Sequence, residues 1–100
     1  MSVQITIRGE AIREFCRRHR IGRLALFGSV LRDDFSAESD VDVLLEFEPG
    51  CGVGMITLAG MEIELGRILG RKAEIHTYKG LNPQFRDRVL TEAEVLYDAA

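Results

Sequence analysis

Hydrophobic and polar positions follow helical spacing in some stretches of this chain and strand alternation in others. Between residues 9 and 20, Ile12, Phe15, Cys16 and His19 recur at helical spacing. Arg17, Arg18 and Arg20, followed by Gly22, mark the end of that helix. Leu24, Ala25, Leu26 and Phe27 form a short apolar run that predicts a central strand. A short helix over 29–32 and a polar loop over 32–39 follow. A second strand is expected over 41–48, closed by Pro49 and a glycine-rich loop. The stripe Leu58, Met61, Leu65, Ile68 and Leu69 predicts a helix over 55–69, stopped by Gly70. Gly60 and Gly66 lower its intrinsic helicity, so tertiary packing must sustain it.

Residues 71–78 alternate, with Ala73, Ile75 and Thr77 on one face and Lys72, Glu74, His76 and Tyr78 on the other. That is the pattern of a half-buried strand. Asn82 followed by Pro83 starts the last helix, whose expected buried stripe is Phe85, Val89, Leu90, Ala93, Leu96 and Tyr97. At the other end, Val3, Ile5 and Ile7 alternate over too short a run to decide. A short edge strand and an ordered lead-in fit equally. The expected order is α-β-β-α-β-α around a small mixed sheet flanked by helices, an α/β (α+β) fold forming one domain over 1–100.

With 100 residues the chain can bury one core without disulfide or metal staples. No apolar run approaches the ~20 residues of a membrane span, and no basic and then apolar leader opens the chain. A cytoplasmic location is expected. A net charge of −3 argues against long nucleic acid as the main ligand, because phosphate-backbone binding draws on a basic surface. Cys16 and Cys51 have no metal-ligand spacing; Cys16 reads as a reduced core thiol, and Cys51 takes no role.

The candidate chemistry lies between Phe27 and Phe47. Asp40 and Asp42 are two apart on an extended segment, so both project to one face while Val41, Val43 and Leu45 turn to the other. Paired carboxylates of this kind can bracket divalent metals about 3.5–4 Å apart, as phosphoryl and nucleotidyl transfer require. Gly28-Ser29 supplies a bare backbone and a hydroxyl for a phosphate. Glu74, on the polar face of the third strand, is the third candidate acid. Alone, Glu74 is more simply a surface acid, and a DxD arises often by chance. A glycine-serine after one strand and a DxD opening the next is far more restrictive. Gly50, Gly52 and Gly54 do not complete a dinucleotide-binding fingerprint, since no βαβ unit with a ribose-binding acid follows. The basic end of the first helix is most simply a set of cations offsetting the helix dipole.

Gly28-Ser29, the ten residues that separate Ser29 from Asp40, and Asp40-x-Asp42 resemble the signature of the polymerase-β-type nucleotidyltransferase superfamily. The GSVLR form, together with the segments LGRKAEI and LNPQFRDRVLTEAEVLY, is similar to its minimal nucleotidyltransferase (MNT) branch. The resemblance implies a nucleotidyltransferase fold and one half of a HEPN–MNT toxin–antitoxin pair. In such pairs the MNT protein uses ATP and Mg²⁺ to transfer AMP to a tyrosine of the HEPN toxin. Carried over by position, Gly28 and Ser29 bind the triphosphate, Asp40 and Asp42 ligate Mg²⁺, and Glu74 is the third acid. Arg32 contacts phosphate or pairs with a nearby loop acid. The branch usually carries aspartate at the position of Glu74. That departure motivates an alternative, an antitoxin that neutralises by binding alone. Nucleotide transfer to a small molecule is weaker still, because so short a chain leaves little room for an acceptor-binding domain.

Overall fold

The computed structural model describes residues 8–31, 40–51 and 53–99. The lead-in expected at the start of the chain, the polar loop and Arg32 lie outside the described residues. The elements run α1 (Gly9–Arg18), β1 (Ile21–Phe27), a 3₁₀ turn (Gly28–Leu31), β2 (Val41–Phe47), α2 (Met55–Leu69), β3 (Ala73–Thr77), a second 3₁₀ turn (Tyr78–Gly80), α3 (Pro83–Glu92) and β4 (Glu94–Asp98).

The four strands form one mixed sheet in the order β3-β2-β1-β4. β1 is antiparallel to both β2 and β4, whereas β2 and β3 are parallel. A parallel pair needs a crossover, and α2 supplies it. The sheet alternates as a strand must: Leu24, Leu26, Val41, Val43, Leu45 and Ala73 turn to the face covered by α1 and α2. There they meet Ile12, Phe15 and Cys16 of α1 and Met61, Leu65 and Leu69 of α2. Burial pushes the Cys16 thiol up to about 12, in keeping with an inert core residue. The opposite face bears Asp42, Glu74 and His76 and holds the candidate site.

α1 and α2 are tied by charge as well as by apolar contact. Glu64 of α2 pairs with Arg18, and its Oε1 lies 2.9 Å from His19 Nε2. Partial burial alone would raise the Glu64 pKa, but the hydrogen bonds from Arg18 and His19 outweigh it and hold the carboxyl below its usual value. His19 also packs against Phe15, their ring centroids 4.7 Å apart.

One expectation is corrected at the C-terminal end. The last helix stops at Glu92, and Glu94–Asp98 turns back as a strand against the free side of β1. Leu96 and Tyr97, expected on the helix stripe, instead pack against the core from β4, while α3 buries none of its residues and Phe85 is 55% exposed. Pairing with β1 gives these β-prone residues a hydrogen-bonded ladder that helical continuation would forfeit, and it covers an otherwise open sheet edge. Strand β1 is also longer than the apolar run at 24–27, because Ile21 begins it after Arg20 turns the chain at φ 55°.

Candidate active site

β1 ends at Phe27 directly across from Asp42, so the chain that leaves β1 passes over the Asp42 carboxylate. Gly28 makes that passage with φ +80°, and a Cβ built on it would stand 2.4 Å from Asp42 Oδ2. A side chain would fit there only if the Asp42 carboxylate moved, which gives the glycine of the Gly-Ser pair a physical reason beyond turn geometry. Ser29 continues the backbone of the same 3₁₀ turn.

The parallel register of β2 and β3 places Asp42 beside Glu74 and Leu44 beside His76. One ligand atom from each of Asp42, Glu74 and His76 lies within 4.8 Å of the other two. His76 Nε2 is 3.3 Å from Asp42 Oδ1 and 3.6 Å from Glu74 Oε1. The imidazole is steadied by an edge contact with Phe27, ring centroids 5.2 Å apart. Asp42 and His76 are partly buried, whereas the Glu74 side chain is 54% exposed. Strand β3 is itself held from behind: the Ile75 N–H donates to Glu62 Oε2 of α2 at 2.6 Å, between the two site residues of that strand.

Of the acids singled out in the sequence, the structure thus brings Asp42 and Glu74 together. Asp40 stands just ahead of β2 and is not one of the converging three; its Oδ2 lies 4.0 Å from Lys72 Nζ. His76 joins the acids instead. Its signal in the sequence was the two-residue spacing from Glu74 on the polar face of one strand, the same spacing that drew attention to Asp40 and Asp42.

Two carboxylates and an imidazole gathered on a half-open sheet face are a fitting donor set for a divalent cation. The bare Gly28 backbone packs directly against the Asp42 carboxylate, so a cation held there would adjoin the glycine turn. A cation and a glycine turn that adjoin in this way suit a ligand with several phosphates.

The model of the family described as "Nucleotidyltransferase domain" matches residues 9–96. A Methanocaldococcus jannaschii protein named "Putative protein adenylyltransferase" is 36% identical over 76 residues, covering 76% of this chain and 80% of that protein. The solved "Structure of putative minimal nucleotidyltransferase" aligns with a TM-score of 0.69 and 36% identity, covering 85% of each chain. A complex of the tri-AMPylated Shewanella oneidensis HEPN toxin with MNT antitoxin aligns with a TM-score of 0.66 at 15% identity. That match covers 90% of this chain and 69% of the other, and it is a likeness of fold.

Proposed function

This chain belongs to the nucleotidyltransferase domain family, and from that premise we propose that it transfers AMP from ATP to a tyrosine of a HEPN-domain toxin and so acts as the antitoxin of the pair. The observation that carries the reading is the convergence of Asp42 and Glu74 beneath the Gly28 turn. The protein adenylyltransferase name of the Methanocaldococcus relative and the AMPylated HEPN toxin in the Shewanella complex support the choice of donor and acceptor.

In this reading Asp40, Asp42 and Glu74 hold Mg²⁺, which when bound supplies positive charge to offset that of the triphosphate. Gly28 and Ser29 receive the triphosphate through their backbone, and Arg32, the next cation in the sequence, adds its charge to the phosphates. Transfer joins the tyrosine oxygen to the α-phosphorus and breaks the bond to the β-phosphate, so pyrophosphate leaves and the phenol proton is released to solvent. Glu74, on edge strand β3 and the more open of the two converging acids, lies toward the side from which a protein acceptor can approach. The whole chain works as one domain in the cytoplasm; among the described residues no helix is long and apolar enough to cross a membrane.

The test is incubation of the protein and a HEPN-domain toxin with ATP labelled in either the α- or the γ-phosphate. Label from the α position alone is expected on the toxin tyrosine. Transfer of the γ label, or no transfer, contradicts the reading. The exposure of Glu74, and its extra methylene relative to aspartate, favour a second reading in which binding alone neutralises the toxin. Neutralisation that survives Asp40→Ala with Asp42→Ala would support it, and loss of protection by a double variant that still binds the toxin would retire it.

A further inference from the structure

His76 has no part in the transfer reaction proposed above, yet its Nε2 faces both acids. The separations of 3.3 Å from Asp42 Oδ1 and 3.6 Å from Glu74 Oε1 are slightly wider than the spacing of adjacent ligands around one ion. In octahedral coordination with bonds of about 2.1 Å, neighbouring ligand atoms stand about 3.0 Å apart. The two Nε2 separations are thus within a few tenths of an ångström of that spacing, and the third pair, Asp42 with Glu74, lies within 4.8 Å. The ring is prepositioned by Phe27 at its edge and by the strand register that sets it beside Leu44.

We propose that His76 is a direct metal ligand, so that Asp42, Glu74 and His76 form a mixed oxygen–nitrogen site that takes a first-row transition ion such as Mn²⁺ in preference to Mg²⁺. The proposal rests on the nucleotidyltransferase reading for the site's location and revises its metal site: His76 takes the place given there to Asp40, and a transition ion the place given to Mg²⁺. Magnesium is a hard cation that favours carboxylate, carbonyl and water oxygens, whereas imidazole suits the transition metals. Replacing one oxygen by a ring nitrogen tilts the choice. Three protein ligands also leave positions open for phosphate oxygens, which a nucleotide-loading site requires.

The experiment uses the full chain and Mn²⁺ alone as probe. Mn²⁺ binding is followed by electron paramagnetic resonance, Mg²⁺ is added as competitor, and pulsed measurements read directly coordinated nitrogen. The wild type is expected to show one bound Mn²⁺ with a nitrogen coupling. His76→Val should lose that coupling and weaken Mn²⁺ binding by about 10-fold or more, since even an outer-shell partner of a metal ligand is worth ~10–100-fold. Its affinity for Mg²⁺ should fall much less. His76→Asn, which restores an oxygen donor in a polar side chain, should recover part of the affinity without the nitrogen signal. Both variants are checked for native circular dichroism, and either one, if folded, suffices. No Mn²⁺ uptake by the wild type, or a bound ion with no nitrogen coupling, would overturn the proposal. Failure of α-label transfer to the toxin would overturn the adenylyl-transfer reading and leave the nitrogen signal intact, so the two are separable.

Discussion

Gly28 and Asp42 constrain each other more tightly than any other pair in the site. A methyl group at position 28 would meet the Asp42 carboxylate at 2.4 Å and would also have to adopt φ +80°. The left-handed conformation costs a non-glycine residue about 1–2 kcal/mol. Relief of the clash must displace the carboxylate from its present place beside Glu74 and His76, and a misplacement of about 1 Å in a reacting group costs ~100-fold in rate. Gly28→Ala is therefore expected to lower stability by about 1–2 kcal/mol in urea titration and nucleotidyl transfer by about 100-fold or more. Transfer at the wild-type rate would show that the turn does not set the carboxylate. Gly28, Asp42 and Glu74 stood out in the sequence by residue type and by their places at a strand end and on the polar face of a strand. That Glu74 and His76 both come beside Asp42 depends on a parallel register that brings β3 next to β2, and nothing local to residues 71–78 specifies that neighbour.

Helix α2 shows how a segment can be both legible and dependent on its surroundings. Its bounds, Met55–Leu69, coincide with the apolar stripe and the Gly70 stop, and Asn82 caps α3 as its sequence demands, the side chain accepting from the Gln84 N–H at 2.9 Å. β4 was misread because Ala93, Leu96 and Tyr97 also fit a helical stripe; only the open edge of β1 decides between the two. Removal of residues 94–100 should expose that edge and strip Leu96 and Tyr97 from the core. Aggregation, read by light scattering, is expected at temperatures where the full chain stays dispersed; a soluble truncated chain with an unchanged melting temperature would make β4 dispensable. The α1–α2 tie has its own signature in pH. Because the folded-state pKa of Glu64 is depressed, its stabilisation is full above the unfolded carboxylate value of about 4.3 and is lost as pH falls below it. Glu64→Gln should flatten the acid limb of the stability profile below about pH 4.3 and leave its shape near neutrality alone. An unchanged acid limb in chemical denaturation would show that the pairing contributes nothing.

The molecule as a whole divides labour between the two faces of one sheet. One face, with α1 and α2, is a continuous apolar core, and its rigidity fixes the registers that β1, β2 and β3 present on the other. The hydrogen bond from Ile75 to Glu62 carries that rigidity through to the edge strand, between Glu74 and His76. The opposite face carries Asp42, Glu74 and His76, all partly exposed, where the proposed transfer would take place. The α+β class and the general course of the chain could be read from hydrophobic periodicity, whereas the meeting of side chains from β2 and β3 required the sheet order. The account as a whole turns on whether the acid at position 42 is needed to move a nucleotide onto a partner. Intact-mass spectrometry of the HEPN-domain toxin, after incubation with ATP and a divalent ion, measures this directly. The wild-type protein should add an adenylate-sized mass to the toxin, and Asp42→Asn, still folded and still bound to it, should add none. Equal gains with both proteins would contradict the account.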